Sequence, residues 1–226
     1  TSQGPKDSPR LLPFLKARWP LWLPLFLAFN MISILSFALN SWMPTYLDRQ
    51  FGWTPIQYGS ALGLTSLAAA GSLVVNGYIV DHFYKSGVKD IHLKFYIGLM
   101  ALIMPAFFLM FSVQNPFVSV ASYALVQFVT VPFFVYIAAV IVMMAPSQVR
   151  GRLTALYAAS FTILGQGLGP TVVAAITDYV FKDEAKLGVS LAIVAISCII
   201  LAFMGSIWAL TQIRKALRED AGKASA

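Results

Sequence analysis

Neutral polar side chains recur at helical spacing inside two long apolar runs of the sequence, and they are the residues best suited to bind a solute. Positions three and four apart lie on one side of a helix, so each set forms a stripe. Amide and hydroxyl groups donate and accept hydrogen bonds without carrying charge, and in lipid they either line a polar cavity or bridge neighbouring helices. The stripes are Asn30, Ser33, Ser36 and Asn40 in one run and Ser119, Tyr123, Gln127 and Thr130 in the other.

A third apolar run contains the hexapeptide GQGLGP, residues 165–170. Glycine lets two backbones approach closely in lipid and weakens a helix, and Pro170 removes the donor that would bond to the carbonyl of Gln166. The segment therefore predicts either a soft hinge that brings Gln166 to a solute path or a static packing notch between helices. The hinge set is Gly165, Gly167, Gly169 and Pro170, with Pro132 just beyond the second stripe, and Tyr157 and Ser160 add a polar face to the third run.

Ionisable side chains that could carry acid–base chemistry are nearly absent from the apolar runs. Asp178 comes closest, but it lies near the end of its run, where a carboxylate stays hydrated. Cys198 is the single cysteine, and His82 and His92 share one loop, so no group of metal ligands is predicted. No serine pairs with a histidine inside the apolar runs, as an intramembrane protease would need. We therefore expect no enzymatic activity, no catalytic residues, no metal and no cofactor.

Membrane-spanning helices must position these side chains. Of the 226 residues, 58% are hydrophobic and only 11% are charged, which excludes a soluble domain of this length. Six apolar runs are each long enough to cross a bilayer core of roughly 30 Å at about 1.5 Å per residue. The predicted spans are residues 20–47, 58–80, 93–113, 117–144, 153–180 and 187–213, with a linker over residues 1–19, one six-helix bundle over residues 20–213 and a basic tail over residues 214–226.

Basic residues indicate the side of the membrane on which each loop lies. Thirteen of the sixteen Lys and Arg residues fall in the amino-terminal segment, the second-to-third loop, the fourth-to-fifth loop and the carboxyl-terminal tail. Loops rich in Lys and Arg stay cytoplasmic, so both termini are predicted to be cytoplasmic in a plasma (inner) membrane. Topology thus explains the net charge of +7. Because no basic residues interleave with aromatics on a soluble module, no nucleic-acid partner is expected.

The six spans divide into two similar trios. The second span ends in GYIVD at Asp81 and the fifth contains AAITD at Asp178, each with a small residue four positions before the aspartate. Polar residues are concentrated in the first, second, fourth and fifth spans, whereas the third and sixth are almost wholly apolar. Since each trio has an odd number of spans, the second copy is inverted relative to the first. The predicted fold is an all-α membrane protein of six transmembrane helices in two inverted three-helix repeats.

The order of these motifs resembles a known family. Gly77 and Asp81 form a G-x-x-x-D motif that is followed by a basic loop at Lys85, and the fifth span is rich in glycine. With the inverted trios, these features resemble the carboxyl-terminal half of a major facilitator superfamily transporter. Residues 150–181, RGRLTALYAASFTILGQGLGPTVVAAITDYVF, are similar to the eleventh helix of bacterial spinster-like members. The resemblance implies half of a twelve-helix fold, whose partner is the amino-terminal six-helix half of the same transporter.

The resemblance also implies a function. It makes the first and fourth spans cavity helices, so the two stripes, Tyr157, Ser160 and Gln166 would line a substrate cavity served by alternating access within the membrane lipids. It places any proton-coupling carboxylate outside this chain. It implies an amphiphilic, lysolipid-like cargo, with a small organic anion symporter as the alternative and a non-transporting membrane scaffold as the alternative of another class. It also implies a cytoplasmic gate, formed by Gly77, Asp81, Lys85, Arg150 and Arg152.

Overall fold

The computed structural model describes residues 11–86 and 91–224 of the chain. Within these ranges every regular element is helical, and six spans are long and apolar enough to cross a membrane. The predicted all-α fold with six spans is therefore confirmed. The α-helices are α1 (Leu11–Ala17), α2 (Trp19–Phe51), α3 (Pro55–Lys85), α4 (Ile91–Ser112), α5 (Pro116–Thr130), α6 (Phe133–Met144), α7 (Ser147–Ala175) and α8 (Leu187–Ala224).

Several spans depart from a single regular helix. The fourth span is divided into two helices, α5 and α6, because Val131 and Pro132 interrupt it. Helix α7 continues into a π-helical turn, Ile176–Phe181, and a short 3-10 turn, Glu184–Lys186, leads into α8. Helix α1 lies within the predicted linker, and α8 continues through most of the predicted tail. Most spans extend a few residues beyond their apolar runs, since polar residues continue a helix into the interface.

Local sequence signals fix several helix ends. Gly52 adopts a left-handed conformation with φ of 67°, and its N–H donates to the carbonyl of Asp48 over 2.8 Å, which closes α2. Asn115 begins α5 by accepting a hydrogen bond from the backbone N–H of Phe117 over 2.9 Å. Asp183 accepts in the same way from the N–H of Ala185 before α8. Tight connections therefore follow from single capping residues.

The packing of the spans has the exchange symmetry expected of inverted repeats. The first span of the first trio, α2, packs mainly on α7 and α8 of the second trio. The first span of the second trio, α5 with α6, packs mainly on α3 and α4 of the first trio. The third spans of the two trios, α4 and α8, pack on each other. The first helix of each repeat thus packs against the other repeat, and the two repeats share a single core.

The spans differ in how much of their surface this core covers. About two thirds of the most apolar stretch of α2 is buried, at 67%, whereas the corresponding share is 28% for α3 and 17% for α7. The core under α2 contains closely packed aromatic rings, including Tyr96 stacked on Phe133 with ring centroids 4.2 Å apart. The second helix of each trio is therefore the one left most exposed.

Candidate functional site

Most of the side chains predicted to line a cavity are buried inside the six-helix unit. Asn30 of α2 is 3% exposed, and Gln127 of α5 is 7% exposed. Four further members are accessible from outside the unit, and we call these four the accessible polar set. The buried members are Asn30, Ser33, Ser119, Tyr123, Gln127, Thr130 and Tyr157, and the accessible polar set is Ser36 and Ser160, which are half-buried, with Asn40 and Gln166, which are exposed.

Some of the buried members bond to neighbouring helices. The Ser33 hydroxyl on α2 donates to the backbone carbonyl of Phe161 on α7. The Tyr157 hydroxyl on α7 donates to the carbonyl of Trp22 on α2 over 3.0 Å. Asn30 donates within its own helix to the carbonyl of Phe26 over 2.8 Å. Ser33 and Tyr157 therefore act as interhelical bridges in this structure, and a cavity role for the buried members stays a prediction.

The fourth span is apolar on the side that the unit leaves uncovered. Its stripe points the other way: Ser119 is fully buried and donates to the carbonyl of Met110 on α4 over 2.7 Å. Helical spacing places the exposed residues of α5 on the opposite side from the stripe. The uncovered face of the fourth span, as we name it, consists of Phe117, Ala121, Leu125, Val131, Val135 and Val142.

The accessible polar set on α2 and α7 contains both hydrogen-bonded and unbonded side chains. Asn40 donates to the carbonyl of Ser36 over 2.9 Å and accepts from the Tyr123 hydroxyl over 3.2 Å. Ser160 donates to the carbonyl of Tyr157 over 2.9 Å. The side chain of Gln166 makes no hydrogen bond to any residue that the structure describes, so both of its polar groups remain available. Gln166 is thus the residue of the set best placed to bind an outside molecule.

The glycines of the hexapeptide have two different environments. A Cβ atom on Gly165 would fall 1.9 Å from the Ser33 Oγ, and one on Gly169 would fall 2.7 Å from the carbonyl oxygen of Ile34. A Cβ atom on Gly167 would meet nothing within 4 Å. Helix α7 runs unbroken from Ser147 to Ala175. Gly165 and Gly169 pack closely against α2, as a packing notch requires, while Gly167 faces open space. A hinge role for these residues stays a prediction.

Pro132 interrupts the fourth span where a neighbouring helix supplies a hydrogen bond. Because proline has no N–H, the carbonyl of Phe128 lacks its usual helical donor. The buried amide of Asn76 on α3 donates to that carbonyl over 3.5 Å. A polar residue on the second span therefore compensates the break in the fourth. A hinge role for Pro132 stays a prediction.

The predicted gate residues lie in the last turns of α3 and at the start of α7. Within the described ranges they do not bond to one another. Asp81 and Lys85 are exposed at the end of α3, and Gly77, one turn earlier, has open space around it. Arg152 is exposed at the start of α7. Arg150 donates from Nε to the carbonyl of Ala145, 2.8 Å away at the end of α6. No described residue forms an ion pair with Asp81.

Sequence patterns did not single out several side chains that hold the helices in place. The Trp42 indole on α2 donates to the carbonyl of Pro170 over 3.0 Å, and the buried hydroxyls of Thr177 and Ser190 join α8 to the π-helical turn over 2.8 Å. Asn76 was findable, because it continues a helical stripe of small and polar residues that includes Ser72. No comparable sequence pattern indicates the bond made by Trp42, because a tryptophan near the end of a span is typical of an interface anchor.

Comparison with known proteins agrees with this architecture. Residues 2–170 match the model of the Major Facilitator Superfamily. Two crystal structures of a bacterial homolog to the human lysosomal transporter Spinster, one inward-facing and occupied and one inward-facing and unoccupied, are similar to this chain with a TM-score of 0.63 and 14% identity each. They match 94% and 96% of this chain. No curated protein matches it in sequence.

The chain spans about half the length of these solved structures, namely 52% and 53% of them. Sequence identity of this size carries the fold and no more. The six-helix unit therefore has the architecture of half of such a protein.

Proposed function

This chain belongs to the Major Facilitator Superfamily, and we propose that it supplies one half of a secondary transporter that moves an amphiphilic, lipid-like molecule by alternating access. The chain is an integral membrane protein with six spans. We place it in a plasma (inner) membrane with both termini cytoplasmic, because its basic residues cluster at one end of the bundle. The proposed role involves movement of a molecule and no bond chemistry.

The observation that carries this proposal is the combination of an apolar surface with a few free polar groups. The uncovered face of the fourth span offers aliphatic and aromatic side chains, among them Leu125 and Phe117. The accessible polar set offers neutral hydrogen-bonding groups, of which the Gln166 amide is unpaired among the described residues. An amphiphile has a hydrocarbon chain and a polar head, so it matches both surfaces. Binding sites for small molecules commonly have this composition, mostly apolar with a few polar groups.

Charge supports an amphiphile over a small organic anion. An anion taken from water into a membrane needs a cation or several hydrogen-bond donors to offset its lost hydration. The Lys and Arg residues of the described spans lie near span ends, as Arg49, Lys85 and Arg214 illustrate. The anion alternative would therefore have to take its cation from the other half of the protein. The organic anion symporter remains the second candidate for that reason.

The exposure of α3 and α7 supports a second six-helix half. Close helix packing in lipid uses small residues on the contact surface. Helix α3 exposes a run of small residues, and a Cβ atom at any of its exposed glycines would meet nothing within 4 Å. We propose that an amino-terminal half of the same transporter covers these surfaces. The residues concerned on α3 are Gly59, Ser60, Gly63, Ser66 and Gly71.

Alternating access would then come from rocking of the two halves. We propose that the gate residues Gly77, Asp81, Lys85, Arg150 and Arg152 contact the other half in one state and release it in the other. Because no described residue pairs with Asp81, its carboxylate is available for that contact. Bending would occur at the break marked by Pro132 and at Gly167, where a Cβ atom would meet nothing within 4 Å. A proton-coupling carboxylate, if coupling exists, would lie outside this chain.

A flux measurement tests the proposal. The complete protein is reconstituted into liposomes, and the movement of a radiolabelled lysophospholipid and of a small organic anion is followed against protein-free liposomes. The proposal predicts saturable lysophospholipid movement. Movement of the anion alone would favour the organic anion symporter. Movement of neither class would overturn the proposal and favour a membrane scaffold, which has no small-molecule cargo.

A further inference from the structure

A cavity of about 190 Å³ lies at the basic end of the unit and shares no lining residue with the accessible polar set. Helix α1 packs on both α2 and α7 and so forms one wall. The lining is aromatic and aliphatic, and the volume exceeds the roughly 150 Å³ of an apolar cavity that holds benzene. The residues that line it are Leu15, Trp19, Trp22, Leu23, Phe26, Leu156 and Tyr157.

Basic residues surround this cavity. Residues 11–30 and 150–161 supply all of its lining, and they contain four basic residues and no acidic one. Lys16 and Arg18 flank the lining residues of α1 and α2, and Arg152 lies one helical turn before Leu156 on α7. Lys16, Arg18 and Arg152 are exposed, so their charged groups are accessible from outside the unit. Basic side chains beside an apolar slot favour a ligand with a hydrocarbon chain and a negative head.

Two tryptophans line the cavity. Trp22 is 3% exposed and presents its apolar ring to the slot, while its indole Nε1 is buried. Trp19, which is 54% exposed, adds a second indole at the mouth. Tryptophan is enriched where apolar chains of the bilayer meet polar headgroups.

We propose that this cavity, called the basic-end cavity, binds the acyl chain of an anionic phospholipid from the surrounding leaflet. The hydrocarbon chain fills the slot between α1, α2 and α7. The headgroup phosphate lies against Lys16, Arg18 and Arg152, whose side chains are accessible from outside the unit. The bound lipid holds α1 against the bundle. Apart from Tyr157, this site shares no residue with the predicted cargo lining, so the two proposals are tested on different residues and can fail independently.

The experiment uses the complete protein in detergent with added phosphatidylglycerol or phosphatidylcholine of identical acyl chains. Native mass spectrometry measures lipid retention, and thermal unfolding measures stabilisation. The proposal predicts preferential retention of phosphatidylglycerol. In the double variant Lys16→Gln/Arg18→Gln, half-maximal retention is expected at about a 30-fold higher phosphatidylglycerol concentration, since each surface charge contributes about fivefold. The double variant Lys182→Gln/Lys186→Gln, at the other end of the bundle, is the matched control and should not change retention.

A second variant tests the apolar slot. Leu156→Trp fills the cavity, and the phosphatidylglycerol-specific rise in melting temperature should disappear. Leu201→Trp, on the exposed side of α8 and outside the cavity, should keep that rise. Equal retention of the two lipids, or an unchanged rise in the Leu156→Trp variant, would overturn the proposal. Displacement of phosphatidylglycerol by zwitterionic lysophosphatidylcholine at equal concentration would also overturn it, because the cavity would then belong to the cargo.

Discussion

The side-chain amide of Asn76 on α3 donates a hydrogen bond, 3.5 Å long, to the backbone carbonyl of Phe128 on α5. That carbonyl is the one that Pro132 deprives of its helical donor. The bond joins the second span of the first trio to the break in the first span of the second trio. A polar residue and a proline that lie 56 positions apart in the sequence are thus linked through the carbonyl of one residue, Phe128.

This dependence predicts a coupling between the two residues. Asn76→Leu removes the donor to Phe128, which lowers stability, but it also removes a buried, unpaired Oδ1, which raises stability. The unfolding free energy of the single variant therefore does not isolate the bond. Pro132→Ala restores a backbone N–H that can reach Phe128. We expect Asn76→Leu to cost about 1 kcal/mol more in the native background than in the Pro132→Ala background. Unfolding free energies of the four proteins in mixed micelles measure this, and additive effects would contradict the bond's role.

Two glycines of α7 should respond in opposite ways to the same substitution. A Cβ atom at Gly169 would lie 2.7 Å and 2.9 Å from backbone atoms of α2, which cannot shift cheaply. Gly169→Ala is therefore expected to destabilise the protein by about 1–3 kcal/mol. Gly167→Ala is the matched control, and it should stabilise the helix by up to about 1 kcal/mol because its Cβ atom meets open space. Thermal unfolding in detergent compares them, and equal shifts would rule out the packing notch.

Buried and exposed polar residues of α7 should separate stability from transport. Tyr157 bridges to α2 and is 2% exposed, so Tyr157→Phe is expected to lose about 0.6 kcal/mol of stability and to retain transport. Gln166 is exposed, so Gln166→Leu is expected to retain stability and to lose most transport. The readouts are thermal unfolding and flux in liposomes. Loss of transport in Tyr157→Phe at full stability would instead indicate that the buried residues line the cargo cavity.

The apolar half of the proposed site can be tested at Leu125. This side chain is 39% exposed on the uncovered face of the fourth span. Leu125→Ser removes apolar contact area, and we expect the KM for an amphiphile to rise about tenfold. Leu102→Ser, on an exposed part of α4 that lies outside the proposed route, should leave the KM unchanged. A rise of equal size in both variants would indicate a general effect of surface polarity in lipid.

The spans and their repeat could be predicted from the sequence because length and apolar content suffice in a membrane. A run of 20 or more apolar residues has few alternatives to a spanning helix. The two short motifs ending at Asp81 and Asp178 then indicated the trio relationship, which the exchange of α2 and the fourth span confirms. Proline alone did not predict where a helix breaks, because Pro132 of the hinge set lies at the break in the fourth span whereas Pro170 of the same set lies inside the unbroken helix α7.

The direction in which each polar stripe faces could not be predicted from sequence. A neutral hydroxyl is tolerated equally against a neighbouring backbone carbonyl and against water, so Ser33 and Ser119 carry no sign of which they meet. Glycines two residues apart face different sides, and only the position of α2 decides that Gly169 is crowded while Gly167 is open. The spacing rule therefore identifies which residues share a stripe but does not predict what that stripe contacts.

The central claim is that Gln166 borders an aqueous route through the membrane, and cysteine labelling tests it most directly. Cys198, the single cysteine, is replaced by serine, and Gln166→Cys is exposed to a membrane-impermeant maleimide in the reconstituted complete protein. A thiol reacts as its thiolate, which needs water. The account predicts labelling that added amphiphile slows, while Leu201→Cys on the outer surface of α8 stays unlabelled. Gln166→Cys as unreactive as Leu201→Cys would contradict it.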